Sequence, residues 1–302
     1  MVYDVVIIGG GPAGLTAGIY VKRAMLNALL VEKMGVGGQI IVTDLVENFP
    51  GFLEISGGDL ARKFEEHALK FGLPMKGMVE VSGIEDRGAT KIVKTHEGDF
   101  ETKTVIIATG TTPKKLGAKG ELNLIGRGVS YCATCDGFFF RDKVVVVVGG
   151  GDSAITEAIF LTKMAKNVII VHRRDQLRAE KINQEHAFAN PKISFVWDSV
   201  VEEIAGEKVV GKVIIRNVKT NALSDIKTDG VFIYVGLIPN TAFANVKKDE
   251  RGFIEVNDKM ETSAKGIFAA GDCRVTPLRQ IATAVGDGAI AAVSAERYIE
   301  GL

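Results

Sequence analysis

Two of the three cysteines in this 302-residue chain are separated by only two residues, and an acidic residue follows them directly. The segment reads SYCATCDGFFF and contains Cys132, Cys135 and Asp136. Such a pair could bind a metal, form a structural disulfide, carry out redox chemistry or have no chemical role. A structural zinc site needs four ligands, but only Cys273 remains, and none of the four histidines shows ligand spacing near it. A disulfide closing so short a loop restricts little chain entropy, so redox chemistry is the favoured interpretation.

A glycine motif near the N-terminus predicts a nucleotide-binding site. The apolar run Asp4–Ile8 predicts a buried parallel strand, and Gly9, Gly11 and Gly14 follow it in G-x-G-x-x-G spacing. Such glycines allow a tight turn, a close approach of the backbone to a pyrophosphate, and close packing of the next helix. Glu32 ends the following predicted strand, where a carboxylate can accept hydrogen bonds from ribose hydroxyls.

The same supersecondary unit occurs a second time in the middle of the chain. A strand is predicted at Val144–Val148, and Gly149, Gly151 and Ala154 follow it in G-x-G-x-x-A spacing. A helical pattern and another strand, Val168–Val171, complete the repeat. The chain is therefore predicted to contain two Rossmann-like units, each with a dinucleotide site.

The two units differ in charge at the end of their second strand. His172, Arg173 and Arg174 stand where the first unit has an acid, and Arg178 lies one turn further on. A carboxylate would repel a 2′-phosphate, whereas guanidinium groups bind it with charge-assisted hydrogen bonds. The second site is therefore predicted to bind NADPH rather than NADH, the alternative being a solvated basic cluster at a helix start.

Two dinucleotide sites of different charge are typical of a protein that moves electrons between two cofactors. If NADPH occupies the second site, FAD suits the first, because a flavin can accept a hydride and pass electrons to a disulfide. The pair Cys132 and Cys135 then becomes the redox centre that receives those electrons.

Taken together, the motifs of this chain resemble those of the low-molecular-weight thioredoxin reductases. They cover essentially the whole chain in order: GGGPAGLTAGIY, GVGGQI, ENFPGF, ATGTTPKK, CATCDG, GGGDSAITEA, VHRRDQLRAEK, GVFIYVGLIPNT, GIFAAGDC and RQIATAVGDG. The resemblance implies an α/β fold of two Rossmann-like domains with three-layer ββα architecture, the second inserted into the first. It implies an FAD-binding domain at residues 1–113 and 243–302, and an NADPH-binding domain at 114–242 that carries the redox disulfide.

The resemblance also implies roles for the redox residues. Cys132 would attack the disulfide of thioredoxin, Cys135 would face the flavin, and Asp136 would shuttle the thiol proton. Asp136 could instead be a turn or cap residue beside Gly137. Cys273 has no catalytic partner in this pattern, and we expect it to be packed as a small apolar residue.

The predicted cofactor contacts fall into two groups, and no metal site is predicted. For FAD they are Gly9, Gly11, Pro12, Ala13, Gly14, Glu32, Lys33, Gly38, Gln39, Asn48, Ala108, Thr109, Gly110, Gly271, Asp272, Arg279, Gln280 and Ile281. For NADPH they are Gly149, Gly151, Asp152, Ser153, Ala154, His172, Arg173, Arg174 and Arg178. Within the FAD group, the resemblance places Asp272 at the ribityl chain and the run from Arg279 to Ile281 at the start of a helix that contacts the flavin.

Three adjacent aromatic residues, Phe138–Phe140, follow the redox motif directly. They could form the edge of a buried strand, or they could belong to a surface that receives a partner protein. The sequence does not separate these two interpretations.

Charge and composition restrict the partners. Lysine plus arginine and aspartate plus glutamate number 37 each, which argues against nucleic acid or an anionic membrane as the main partner. No apolar run approaches the roughly 20 residues that span a bilayer, and the N-terminus lacks a signal-peptide pattern. Three cysteines do not make a secreted disulfide framework. We therefore expect a reducing, cytoplasmic setting. The resemblance implies a homodimer that reduces thioredoxin or a thioredoxin-like protein.

Other functions compete with this interpretation. The chain could be a flavin disulfide reductase for a glutaredoxin-like protein or another small dithiol protein. A ferredoxin-fed flavin reductase is not expected to carry the basic cluster at Arg173 and Arg174, and a nucleotide sensor without turnover does not need the C-x-x-C pair. Because the nucleotide site and the cysteines lie on the same inserted domain, we also expect that domain to rotate between two orientations during turnover.

Overall fold

The computed structural model describes residues 2–301, which form two compact units. The discontinuous unit comprises the residues up to Thr112 and from Ile238 onward, and the inserted unit comprises Pro113–Leu237. The domain boundaries expected from the sequence, at 113/114 and 242/243, differ from these by one and five residues. The assignment of FAD to one unit and NADPH to the other stays a prediction.

Parallel strands and flanking helices dominate the structure. The strands are β1 (Val2–Ile8), β2 (Ala28–Val31), β3 (Met75–Lys76), β4 (Val81–Asp86), β5 (Lys91–Thr95), β6 (Phe100–Ile107), β7 (Thr111–Pro113), β8 (Val129–Ser130), β9 (Val144–Gly149), β10 (Asn167–Val171), β11 (Ile193–Val196), β12 (Ser199–Ala205), β13 (Lys212–Asn217), β14 (Leu223–Lys227), β15 (Gly230–Tyr234), β16 (Leu237–Pro239) and β17 (Ile267–Ala269). The α-helices are α1 (Pro12–Arg23), α2 (Gly57–Lys70), α3 (Ala133–Asp136), α4 (Asp152–Leu161), α5 (Lys181–Ala189) and α6 (Ile281–Glu300).

In the discontinuous unit, β3, β2, β1, β6 and β17 form a parallel sheet, which β5 and β4 extend in antiparallel fashion. Successive side chains of a strand point to opposite faces. Val5 and Ile7 of β1 therefore join a core with α1 and α6, while Val6 and Ile8 join a separate core on the other face. This arrangement brings the carboxyl end of β1 to the glycine turn before α1.

In the inserted unit, β11, β10, β9, β15 and β8 form a parallel sheet in that order. Val145 and Val147 of β9 face the helices and share a core with Ile155 of α4. Val146 and Val148 face the antiparallel sheet β12–β13–β14. Helices, a parallel sheet and an antiparallel sheet thus form three layers, and the predicted α/β fold with an inserted ββα domain is confirmed.

The chain passes between the units twice, and the two connections pair with each other. Strands β7 and β16 form a two-stranded sheet, and the amide of Lys114 donates to the carbonyl of Gly236 at 2.9 Å. Within the described residues, no helix is long and apolar enough to cross a membrane.

Candidate active site

The turn between β1 and α1 leaves its backbone open to a ligand. Gly9 has φ +111°, and a Cβ at this position would overlap the carbonyl oxygen of Ala108. A Cβ at Gly14 would overlap the carbonyl oxygen of Gly9, so α1 can pack this closely only on glycine. At Gly11 the nearest atom to such a Cβ is the Cα of Gly38, 3.8 Å away. No side chain caps α1, so its first amides are available to a pyrophosphate.

Glu32 lies beside this turn, whereas its neighbour Lys33 pairs with another residue. The Glu32 carboxylate accepts hydrogen bonds from the amide of Gly10 at 2.6 Å and from that of Met34 at 2.9 Å. Lys33 Nζ forms an exposed ion pair with Glu80 at 2.6 Å. Glu32 is thus fixed next to the open backbone, where a ribose attached to the pyrophosphate would lie.

A hydrogen-bond network joins three segments that the sequence places far apart. Gln39 Nε2 donates to the carbonyl of Thr111 at 2.6 Å and to its Oγ1 at 2.9 Å. Thr109 Oγ1 donates to the carbonyl of Asn240 at 2.7 Å, and Asn240 Nδ2 donates to the carbonyl of Thr109 at 3.0 Å. Asn240 also donates its amide to Gly110. The sequence analysis missed Thr111 and Asn240 as partners, although both lie in the motifs ATGTTPKK and GLIPNT.

The loop after β17 is held by a buried ion pair. Asp287 on α6 accepts the amide of Gly271 at 3.0 Å and two bonds from the guanidinium of Arg274, at 2.6 and 2.5 Å. A Cβ at Gly271 would lie 2.9 Å from the Cβ of Ala13, so this loop rests against the first glycine turn. Burial raises the pKa of Asp272 above its usual range. Asp287 and Arg274 are positioning residues that sequence reasoning did not identify.

The start of α6 gathers the remaining predicted FAD residues. Ile281 is the first residue of the helix, and the side chain of Gln280 caps it. Asn48 Nδ2 donates to Gln280 Oε1 at 3.3 Å, although the two residues are 232 positions apart. The guanidinium of Arg279 lies over the ring of Phe253, 4.1 Å from its centroid. The structure therefore brings the predicted run from Arg279 to Ile281 together with Asn48.

The turn between β9 and α4 repeats the geometry of the first turn. Gly149 has φ +151°, and a Cβ there would lie 2.8 Å from the Cβ of Ala154. No atom lies within 4 Å of a Cβ built at Gly151, and no side chain caps α4. Asp152 accepts a backbone amide of a neighbouring loop at 2.7 Å, and Ser153 is exposed on the first helical turn. The open backbone again fits a pyrophosphate at a helix N-terminus.

Three arginines line a cavity of about 400 Å³ beside this turn. Arg173 and Arg174 follow β10, and Arg178 donates its amide to the carbonyl of Gly150 at 2.7 Å. Among the described residues, none of these three guanidinium groups forms an ion pair with a carboxylate. A cluster of uncompensated guanidinium groups is suited to a phosphate monoester, so the cavity fits the 2′-phosphate of NADPH.

His172 lies beneath the second glycine turn. It is 5% exposed, and its Nε2 is buried without a hydrogen-bond partner. A Cβ at Gly150 would lie 2.5 Å from the imidazole, so glycine is needed where the turn passes over the ring. Burial lowers the pKa of His172 from its ordinary value of 6.5, and the charge of Arg178 lowers it further.

Cys132 and Cys135 form a disulfide at the start of α3. The Cys132 side chain caps this short helix, and its Sγ accepts the amide of Cys135 at 3.2 Å. The amide of Cys132 donates to Ser130 Oγ at 3.0 Å, and the amide of Asp136 donates to the carbonyl of Cys132 at 3.2 Å. Cys135 is exposed and Cys132 is half-buried. The predicted pair is therefore held in a single rigid turn of the inserted unit.

Two tyrosine hydroxyls hold this turn in place. Tyr234, at the end of β15, accepts the amide of Ala133 at 2.9 Å. Tyr131 donates its hydroxyl to the buried carboxylate of Glu121 at 2.5 Å. Burial raises the pKa of both tyrosines above the usual range, so both hydroxyls stay protonated. Tyr234 lies within the motif GVFIYVGLIPNT and Tyr131 within the segment SYCATCDGFFF, but the sequence analysis assigned neither residue a role.

The aromatic run after the disulfide is not a strand. Residues Gly137–Phe140 form a 3-10 helix, so the interpretation of a buried strand edge is wrong. Phe140 is buried and packs against Phe232 at a centroid distance of 5.2 Å. Phe138 and Phe139 are 66% and 70% exposed. A 3-10 turn has three residues per turn, so adjacent side chains point in different directions and only one ring reaches the core.

Cys273 is fully buried in the discontinuous unit. Its Sγ donates to the carbonyls of Ile107 and Ala270 at 3.4 and 3.3 Å, and burial raises its pKa to about 11. The expectation of a packed cysteine is confirmed. In the part of the chain that the structure describes, no group of histidine, cysteine and acidic residues could hold a metal ion.

Comparison with known proteins agrees with this arrangement. The sequence model of the pyridine nucleotide-disulphide oxidoreductases matches residues 3–288. The chain belongs to this family. A thioredoxin reductase of Bacillus subtilis (strain 168) is 50% identical over 304 residues, covering 100% of this chain and 96% of that protein.

Two solved structures of thioredoxin reductases are also similar to this chain over almost its whole length. The thioredoxin reductase of Lactococcus lactis has 46% sequence identity and a TM-score of 0.97, with 99% of this chain and 100% of that chain covered. The thioredoxin reductase of T. acidophilum has 40% identity and a TM-score of 0.95, with 99% and 98% covered. The predicted family, the fold with two dinucleotide-binding domains, and FAD and NADPH as cofactors are confirmed.

Proposed function

We propose that this oxidoreductase passes electrons from NADPH through FAD and the Cys132–Cys135 disulfide to the disulfide of thioredoxin. The observation that carries the proposal is the disulfide at the start of α3 in the same unit as the arginine-lined cavity. The predicted NADPH site and the redox disulfide therefore belong to one domain. The other domain carries a second dinucleotide turn, which has the carboxylate of Glu32 beside it.

The residues at both turns fit the two cofactors. When bound, FAD supplies a hydride acceptor that can reduce a disulfide. In the discontinuous unit, the open turn at Gly11, the fixed carboxylate of Glu32 and the loop at Asp272 would hold it. In the inserted unit, the turn at Gly151 and the arginine cluster would hold NADPH.

The cysteine pair performs the transfer to the partner protein. After reduction, the Cys132 thiolate attacks one sulfur of the thioredoxin disulfide, a mixed disulfide forms, and the other thioredoxin sulfur leaves as a thiolate. The Cys135 thiolate then attacks Cys132 Sγ, which releases the second thioredoxin thiol and re-forms the Cys132–Cys135 disulfide. The hydrogen bond from the Cys135 amide to Cys132 Sγ stabilises negative charge on that sulfur. Asp136, at the end of the same turn, exchanges the thiol proton.

Thioredoxin docks on the face that carries Phe138 and Phe139. Contiguous exposed apolar surface marks interaction sites, and Phe139 lines a cavity of about 280 Å³ together with Asp136, Arg127 and Lys143. A homodimer and a cytoplasmic location complete the proposal. The motif resemblance supports the dimer, and the low number of cysteines supports a reducing compartment.

Single cysteine variants test the proposed electron path. Cys132→Ser and Cys135→Ser should each abolish thioredoxin reduction, because neither can re-form the disulfide, while NADPH still bleaches the bound flavin. Cys132→Ser alone should show the long-wavelength absorption band of a thiolate next to a flavin, since it retains Cys135. Cys273→Ala is the matched control, because its thiol is buried and takes no part in the transfer.

The assay follows NADPH oxidation with the host's thioredoxin and, separately, with its glutaredoxin-like proteins. Reduction of thioredoxin by either active-site variant, or an equal absorption band in both, contradicts the assigned roles. If turnover occurs only with a glutaredoxin-like protein, thioredoxin is not the acceptor, but the proposed electron path through FAD and the disulfide still holds.

A further inference from the structure

A lysine from a different sheet reaches the arginine-lined cavity. Lys219 lies in the turn between β13 and β14 and lines the same cavity as the three arginines. Its Nζ lies 2.9 Å from Asp198 Oδ2 and 3.6 Å from Asp175 Oδ2. Neither the glycine motif nor the basic cluster predicts this residue, because it comes more than 40 positions after Arg178.

Backbone hydrogen bonds fix the turn at this place. The amide of Val218 donates to the carbonyl of Asp198 at 2.7 Å, and the amide of Asp198 donates to the carbonyl of Arg174 at 3.4 Å. Within the turn, Asn217 Oδ1 accepts the amide of Lys219 at 3.0 Å. Asp198 therefore contacts both the turn that carries Lys219 and the backbone of Arg174, and these hydrogen bonds fix the position of the turn beside the arginine cluster.

The charges of the cavity explain why a lysine is needed. Within residues 2–301 the three guanidinium groups form no ion pair with a carboxylate, yet the cavity is also lined by Asp175 and Asp198. A phosphate monoester carries a charge of about −1.5 to −2 at neutral pH, so two uncompensated carboxylates would repel it. Both carboxylates instead pair with the ammonium of Lys219.

We propose that Lys219 is a specificity-determining residue of the 2′-phosphate site, where it neutralises Asp175 and Asp198 and adds a fourth cation for the phosphate. This inference rests on the proposed binding of NADPH at the arginine-lined cavity. Loss of the lysine leaves two carboxylates facing the phosphate, whereas a nucleotide without a 2′-phosphate is unaffected. The lysine therefore selects NADPH over NADH and does not strengthen nucleotide binding in general.

Binding of two small nucleotides tests the assignment without any turnover. Adenosine 2′,5′-bisphosphate and AMP differ only in the 2′-phosphate, and calorimetry on the FAD-loaded enzyme measures both. Lys219→Ala should weaken binding of the bisphosphate by about fivefold to tenfold at low ionic strength, since its ion pairs are partly exposed. AMP binding should not change, and Lys219→Arg should restore most of the loss. Lys208→Ala is the matched control, because it removes an exposed lysine of the same unit from a different turn.

The outcomes separate this inference from the proposed function. If the wild type binds the bisphosphate no better than AMP, the assignment of the 2′-phosphate to this cavity is itself wrong. If the wild type discriminates and Lys219→Ala discriminates equally well, only the role of Lys219 is overturned. An equal loss of bisphosphate affinity in Lys208→Ala would show that the effect comes from the net charge of the protein, and it would also overturn the role of Lys219. In steady-state assays with thioredoxin, the KM for NADPH should rise in Lys219→Ala while kcat stays close to the wild-type value.

Discussion

The three cysteines of this oxidoreductase differ in how far they are buried. The thiol of Cys273 is enclosed and has a pKa of about 11, so it stays protonated and inaccessible at neutral pH. The pair Cys132 and Cys135 forms a disulfide in a short, partly exposed turn, where the amide of Cys135 donates a hydrogen bond to Cys132 Sγ. The same residue type thus serves as packing in one unit and, in the proposed mechanism, as a nucleophile in the other.

His172 gives the folded state a dependence on pH. Its pKa lies below the ordinary value of 6.5 because the ring is buried and Arg178 is close. Below pH 6.5 the unfolded chain therefore binds a proton that the folded chain does not. The stability that His172 contributes is complete above that pH and is lost as the pH falls toward the folded pKa.

Replacing His172 by Gln should remove this dependence. We expect the melting temperature of the nucleotide-free enzyme to fall less steeply in His172→Gln than in the wild type between about pH 7.5 and 5.5. Differential scanning fluorimetry over this range measures both slopes. The other histidines are common to the two proteins, so the difference in slope isolates His172, and equal slopes would contradict the assignment.

At the scale of elements, a buried carboxylate connects the redox turn with the segment that enters the inserted unit. Glu121 is 1% exposed and accepts the amides of Leu116 and Gly117 at 2.8 and 2.6 Å, besides the hydroxyl of Tyr131. Tyr131 directly precedes Cys132. The carboxylate therefore joins the chain just after β7 to the start of the active-site turn.

Tyr131→Phe should destabilise the inserted unit. The variant deletes one of three donors to a buried carboxylate, which costs about 1–3 kcal/mol. Thermal unfolding of the FAD-loaded enzyme measures the loss, and Tyr20→Phe, an exposed tyrosine of the other unit, is the matched control. If Tyr131→Phe melts at the wild-type temperature, the hydrogen bond to Glu121 does not stabilise the turn.

The elements around both dinucleotide turns could be predicted because their signals are local. Apolar runs followed by spaced glycines predict β1, α1, β9 and α4 to within a few residues. The contacts that hold the sites could not be predicted in this way. Asn240 and Thr109 are 131 positions apart, and Lys219 meets Asp198 only through the pairing of β12, β13 and β14. Short apolar runs are ambiguous as well, which is why the sequence left two interpretations open for Phe138–Phe140, of which the strand edge is wrong.

At the scale of the whole molecule, the distribution of sites over the two units restricts the mechanism. The arginine-lined cavity and the disulfide belong to the inserted unit, and the predicted FAD residues belong to the discontinuous unit. The nicotinamide and the disulfide must each reach the flavin, and the disulfide must also reach a bulky protein. We propose that the inserted unit alternates between two orientations, one for each half-reaction, with β7 and β16 as the connections that bend.

Covalent linkage of the two units tests this proposal. The enzyme is treated with a lysine-specific cross-linker, and mass spectrometry selects molecules in which a lysine of residues 113–237 is joined to one outside that range. Two half-reactions are then measured separately: reduction of the enzyme by NADPH, and reduction of thioredoxin by enzyme that was reduced chemically beforehand. Because a link fixes one orientation, we expect turnover to stop while at most one half-reaction continues at its normal rate. Molecules linked only within one unit are the control and should keep full turnover, whereas full turnover in the molecules linked between units would rule the alternation out.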